Sequence, residues 1–153
     1  MFEKKLIVIP ETEFETKEEV IHYLTHLDNS KVSDKDGFEK DVLQRESSFV
    51  TYVGYDIGMP HARTGHADEP FVVYARLKNK VHWGEDDGED VNQVFLLGVP
   101  QKYDDDNSFS NLHLKVLAML SRNLMHDDFR EQLNKAENTD DIYKLLVNME
   151  DQI

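Results

Sequence analysis

The chain has no cysteine, which excludes disulfides and thiolate chemistry. Bases are scarce: 17 lysines and arginines stand against 31 acids, for a formal charge of −14. A chain this acidic is repelled by nucleic acid and by anionic lipid, which sets aside DNA, RNA and membrane-surface binding. Long apolar runs are missing, and no N-terminal leader pattern occurs. The expectation is a cytoplasmic protein without direct membrane insertion. Proline and glycine are few, four and seven, so places where they gather mark a local demand on the backbone.

What is present suits one domain over residues 1–153, long enough for a real core. Leu6-Ile-Val-Ile9 predicts a strand. Thr16 with Glu19 forms a capping-box pattern ahead of Val20, Ile21, Leu24 and Leu27 at helical spacing. A second helix is predicted from about Asp36, with Phe38, Val42 and Leu43 on its apolar side, ending near Arg45 and Glu46. Residues 49–59 read as extended chain broken by Gly54 and Gly58. Pro70 opens a β-rich run to Leu77, and Asn79-Lys80 suggests a turn into Val81-His-Trp83. The acidic residues 85–90 read as a loop. The unbroken apolar run 94–99 suits a strand buried on both faces. Residues 104–108 read as a second acidic turn, where Asn107 or Ser108 can cap a helix carrying Leu112, Val116, Leu117, Leu120 and Leu124. A short helix around Asp127 and a last one after Thr139 follow. The pattern predicts an α/β sandwich, a mixed sheet covered by helices.

Residues 54–61, Gly-Tyr-Asp-Ile-Gly-Met-Pro-His, hold a histidine on a stiff support directly after proline, at the end of a glycine-punctuated apolar run. The wider pattern is Arg45-Glu46, Thr51, Gly54 and Ile57-Gly-Met-Pro-His-Ala62. It resembles the active-site region of enzyme IIA domains of the mannitol/fructose class of the bacterial sugar phosphotransferase system. The likeness continues through Val81-His-Trp-Gly84, the run 91–100 and His113-Leu-x-x-Leu. It covers most of the chain, as for a free-standing enzyme IIA. Gly58-Met59 departs from the family, where alanine and a branched aliphatic are common; the flexible methionine is expected to fit without loss of chemistry.

The resemblance implies a five-stranded mixed sheet flanked by helices, and a phosphocarrier without cofactor. It accepts a phosphoryl group from the carrier HPr and passes it to an enzyme IIB. His61 takes the role of the phosphorylated histidine. A neutral imidazole is a competent nucleophile near neutral pH, its ordinary pKa being about 6.5. His113, at the start of a predicted helix, would stay neutral beside the helix dipole and donate to a phosphate oxygen or fix the tautomer of His61. Arg45 offers a guanidinium matched to phosphoryl oxygens. Thr51 either orients an oxygen or serves as an ordinary strand residue.

Two other readings compete. In one, the phosphorylation state of the same residues is sensed by a regulatory partner. The other is a metal-dependent hydrolase on His61, His66 and His113, which lacks carboxylates at ligand spacing. The sugar, whether fructose, mannitol or galactitol, is not encoded in such a domain. His82 is expected to point from a strand to water. His22 and His26, an i,i+4 pair on the first helix, have no third ligand evident in sequence and read as a solvated face, so no metal is expected. Residues 85–90 and 104–106 lack the ordered spacing of a calcium loop. Between Ser47 and Ala67 the only acid is Asp56. That predicts an apolar contact ring of Tyr52, Val53, Tyr55, Ile57 and Met59 around His61.

Overall fold

The computed structural model describes residues 1–101 and 112–150, without the side chains at 112 and 113. After a 3₁₀ turn at Lys4–Leu6 come β1 (Ile7–Val8), α1 (Lys17–Thr25), α2 (Lys35–Ser48), β2 (Tyr52–Gly54), β3 (Ile57–Gly58), β4 (His61–Thr64), β5 (Phe71–His82) and β6 (Asp90–Pro100). Helices α3 (Leu112–Leu124), α4 (Asp127–Lys135) and α5 (Thr139–Glu150) complete the described chain. None of the described helices is long and apolar enough to cross a membrane.

The sheet is mixed. Its order is β1-β5-β6-β3-β2, with β4 also on β6. β5 and β6 pair antiparallel, while β1 joins β5 and both β3 and β4 join β6 in parallel. Because β3 and β4 share one edge of β6, six strand segments fill five lanes. This is the predicted mixed sheet flanked by helices.

Strand alternation divides the core in two. Phe71, Val73, Ala75 and Leu77 of β5, with Val94 and Leu96 of β6, pack with Ile21, Leu24, Phe38 and Val42 of α1 and α2. Val72 and Tyr74, with Phe95, Leu97 and Val99, pack on the other face with Val116, Leu120, Leu133, Ile142 and Leu146 of α3 to α5. A sheet buried on both faces needs apolar residues at successive positions, which explains the unbroken run in β6.

Helix starts follow local chemistry. The Thr16 hydroxyl accepts from the Glu19 amide at 3.1 Å, and the Glu19 carboxylate accepts from the Glu15 amide at 2.9 Å. Asp34 caps α2 by accepting from the Gly37 amide at 3.0 Å, so the helix starts one residue before Asp36, close to expectation, and runs on to Ser48. The predicted turn at Asn79-Lys80 is also corrected. β5 passes through it with a register irregularity between Arg76 and Val81. The Asn79 side-chain nitrogen donates to the Phe14 carbonyl at 2.9 Å, which ties this segment down without a chain reversal. The reversal lies at residues 83–89, where the amides of Trp83 and Gly84 donate to the Glu89 carbonyl. The predicted acidic turn at 104–108 lies outside the described residues.

Candidate active site

β3 and β4 act as one strand. Every partner on β6 lies 36 positions on, from Ile57 opposite Gln93 to Thr64 opposite Pro100. The ladder is interrupted at Pro60, which has no N–H to give, although its carbonyl still accepts from the Leu97 amide at 3.0 Å. His61 follows at once as the first residue of β4. Ile57 and Met59 belong to the core beneath α3 to α5. Alternation places His61 on that same face, where the sheet opens into a pocket of about 470 Å³. Arg45, Asp41, Arg63, Leu114 and Leu117 share its lining with His61.

The His61 Nδ1 lies 2.9 Å from the Met59 carbonyl oxygen. A carbonyl only accepts, so Nδ1 carries the proton and Nε2 keeps its lone pair. Burial, foremost, pushes the imidazole pKa below its ordinary 6.5. The Met59 carbonyl opposes this, the positive Arg45 adds to it, and Glu46 opposes it. The net result is a neutral ring at neutral pH.

Arg45 occupies the last turn of α2. Its Nη1 donates to the Phe49 carbonyl at 3.2 Å, and the guanidinium lies 5.9 Å from the Phe49 ring centre. His113 is the second residue of α3, one position before the pocket residue Leu114. Its side chain lies outside the described residues. The structure thus brings His61 and Arg45 together and sets the first turn of α3 beside them.

Thr51 faces elsewhere. Its hydroxyl donates to Glu46 Oε1 at 2.5 Å and accepts from Trp83 Nε1 at 3.1 Å. Its amide donates to Glu46 Oε2 at 2.8 Å. The same carboxylate pairs with Lys17 at 3.3 Å, and Lys17 also donates to the Trp83 carbonyl at 2.9 Å. The Thr51 carbonyl accepts from the Met59 amide at 2.8 Å. Thr51 therefore connects a buried ion pair to the residue whose carbonyl fixes His61. From sequence, Glu46 and Trp83 enter only as parts of the quoted pattern, without a role, and Lys17 does not enter at all. The signal for Glu46 was its spacing: Phe38, Val42 and Glu46 fall every four residues on the buried side of α2. Gly58 belongs to the same arrangement, since a Cβ there would lie 2.8 Å from the Trp83 ring.

Other expectations divide. His66 sits by the α2 N-cap, 3.8 Å from Asp34. Arg45 lies eleven residues further along that helix, about 16 Å at 1.5 Å per residue. His66 is thus set apart from Arg45 and does not line the pocket, and the hydrolase reading loses its second histidine. His82 does point outward, paired with Asp90 at 3.1 Å. The predicted apolar ring needs correction: Ile57 and Met59 are 1% and 5% exposed, so they are core. Val53 and Tyr55 of that ring are exposed as expected, and Phe49, Leu114 and Met125 add further exposed apolar surface. The absence of a third ligand beside His22 and His26 is overturned as well, because Glu39 of α2 lies against both.

Comparison with known proteins bears on this arrangement. The family described as "Phosphoenolpyruvate-dependent sugar phosphotransferase system, EIIA 2" matches residues 1–149. A fructose-specific EIIA component of the phosphotransferase system from Haloferax volcanii is 35% identical over 136 residues, covering 88% of this chain and 84% of that protein. Nitrogen regulatory protein IIA-Ntr from Neisseria meningitidis superposes with a TM-score of 0.81 at 21% identity, over 95% of each chain. The mannitol IIA of Escherichia coli, solved in complex with phosphorylated enzyme IIB, superposes with a TM-score of 0.68 at 20% identity, over 97% of this chain and 99% of that one.

Proposed function

This chain belongs to the EIIA 2 family of the phosphoenolpyruvate-dependent sugar phosphotransferase system, phosphotransferases that carry a phosphohistidine, and on that premise we propose that His61 is its phosphorylated residue. The donor is the phosphocarrier HPr and the acceptor a sugar-specific enzyme IIB of the fructose/mannitol class. Residues 1–153 act as a single cytoplasmic IIA domain. The observation that carries the assignment is the bond from His61 Nδ1 to the Met59 carbonyl, which leaves Nε2 as the nucleophilic nitrogen.

The Nε2 lone pair attacks phosphorus as the phosphorus–nitrogen bond to the donor histidine breaks. Nδ1 keeps its proton, and the Met59 carbonyl stabilises the positive charge that develops on the ring. Arg45 meets the negative oxygens of the transferring group with N–H donors in a fixed fork. His113, at the N-terminal turn of α3, donates one further N–H. The two-sided apolar surface of Phe49, Val53 and Tyr55 with Leu114 and Met125 receives the partner proteins and keeps water from the transfer. In this reading Thr51 is a positioning residue.

The test is incubation with enzyme I, HPr and phosphoenolpyruvate, followed by mapping of the phosphoryl group under alkaline conditions. One phosphoryl group on His61 is expected, and none on a His61→Ala protein. Full labelling of that variant overturns the assignment. The likeness to IIA-Ntr supports a second reading, in which the same phosphohistidine reports to a regulatory partner. Failure to transfer to any IIB, with normal acceptance from HPr, selects it.

A further inference from the structure

Away from the phosphoryl pocket, two histidines and two carboxylates meet where α1 crosses α2. His22 of α1 and His26, the residue that caps its C-terminus, lie one turn apart, with ring centres 4.2 Å apart. From α2, Glu39 places both carboxylate oxygens against His22 Nδ1, at 3.0 and 3.1 Å. It also lies 3.9 Å from His26 Nδ1. Asp36, one turn earlier on α2, lies 2.9 Å from His26 Nε2. One ligating atom from each of His22, His26 and Glu39 falls within 4.8 Å of the other two.

Hydrogen-bond bookkeeping shows what this cluster lacks. His26 Nδ1 is 2.8 Å from the His22 carbonyl, which only accepts, so Nδ1 carries a proton. In the neutral ring Nε2 then presents a lone pair to the Asp36 carboxylate, acceptor against acceptor. The contact is favourable only with a positive charge between the two. Glu18 and Glu19 of α1 line the adjoining cavity with His22 and Glu39, so the surrounding field also favours a cation. The backbone bond that orients His26 is the kind that fixes the ring of a metal-bound histidine.

We propose that the α1–α2 crossing is a binding site for one divalent transition-metal ion of the zinc, cobalt or nickel class, held by His22, His26 and Glu39 with Asp36 as a fourth, outer ligand. Two imidazoles and a carboxylate suit these ions and disfavour magnesium or calcium, which prefer all-oxygen shells. Metal–ligand distances near 2.1 Å put two ligands on one ion no more than about 4.2 Å apart, so the cluster must close by less than about 1 Å. The four side chains come from two helices and a single crossing, so the ion would clamp α1 to α2. The site is independent of the phosphocarrier assignment.

The test is titration of the full chain with zinc chloride by calorimetry, with cobalt as a spectroscopic reporter of ligand geometry. One tight site is expected, with affinity falling about tenfold or more from about pH 7.5 to about pH 6 as protons compete for the imidazoles. Glu39→Gln and His22→Ala should each weaken binding by about 100-fold, and Asp36→Asn by less. His66→Ala and His82→Ala serve as controls and should leave it unchanged. Circular dichroism and the denaturation midpoint without metal establish that each variant folds, and a variant that does not is replaced by His26→Gln. Binding that survives both Glu39→Gln and His22→Ala, or that disappears in His61→Ala, overturns the proposal, as does the absence of stoichiometric binding.

Discussion

Proton placement on His61 controls its reactivity. With Nδ1 committed to the Met59 carbonyl and burial holding the ring below its ordinary pKa, the neutral form persists into weak acid. Acceptance from HPr should therefore stay level as pH falls through about 6.5, then decline at a lower midpoint as the imidazole protonates. Single-turnover rates across pH, corrected for titration of the donor by its own profile, check this. A midpoint at or above 6.5 contradicts the burial argument. Thr51 gives a second residue-scale prediction. Thr51→Val removes the hydroxyl that Glu46 and Trp83 share, and should cost about 1–3 kcal/mol of stability in denaturant unfolding. Acceptance by the folded protein should change by less than about tenfold, whereas loss of an oxyanion-type donor costs about 10²–10³. A rate loss in the latter range would mean that Thr51 touches the phosphoryl group. His61 and Arg45 were legible in sequence because proline and the Arg-Glu pair mark them locally. The engagement of Thr51 was not, because its partners are a buried acid of α2 and the indole of Trp83, 32 residues on, just past β5.

Among the elements, the β2–β3 hairpin shows local strain. Tyr55 and Asp56 have φ of 56° and 63°, the left-handed values that a two-residue turn of this hand demands and that side chains resist. Asp56→Gly should stabilise the protein by about 1 kcal/mol, since glycine takes this conformation freely. The exposed pair it gives up, Asp56 with Lys80 at 3.5 Å, offsets little. Thermal and urea midpoints check it, and a lower midpoint would show that the aspartate side chain matters more than the backbone. The elements with strong periodicity, α1, α3 and α5, and the unbroken run in β6 were readable from pattern alone. The turn expected at Asn79-Lys80 fails because the Asn79 side-chain nitrogen is tied to the distant Phe14 carbonyl. The end of α2 was misjudged because a polar residue, Glu46, occupies its buried side.

For the molecule as a whole, two helical layers close over one sheet, and the formal charge is −14. The pocket itself holds Arg45 and Arg63 against Asp41. Docking should then depend on apolar contact more than on net charge. Phe49→Asp and Leu114→Asp, both at exposed apolar positions, should each slow acceptance from HPr by about tenfold or more with the fold intact, since each puts a charge beside the pocket. Raising salt should change the rate only moderately, because rim charges tune encounter. If salt exerts the larger effect, docking is electrostatic and this face is not its centre.

The shared register of β3 and β4 makes the chain between Ile57 and Thr64 a counting device. Side chains there alternate between two separate cores, so His61 reaches the pocket only because it lies an even number of residues from Ile57. Deleting one residue inside that stretch would reverse the parity and put the imidazole where Ala62 packs, in the core shared with α1 and α2, with every ladder partner on β6 displaced. The hairpin loop at residues 85–89 carries no such count. Length variation in this protein is accordingly permitted by location: a single insertion between Asp86 and Asp87 leaves phosphoryl acceptance intact, while a single deletion at Gly58 abolishes it.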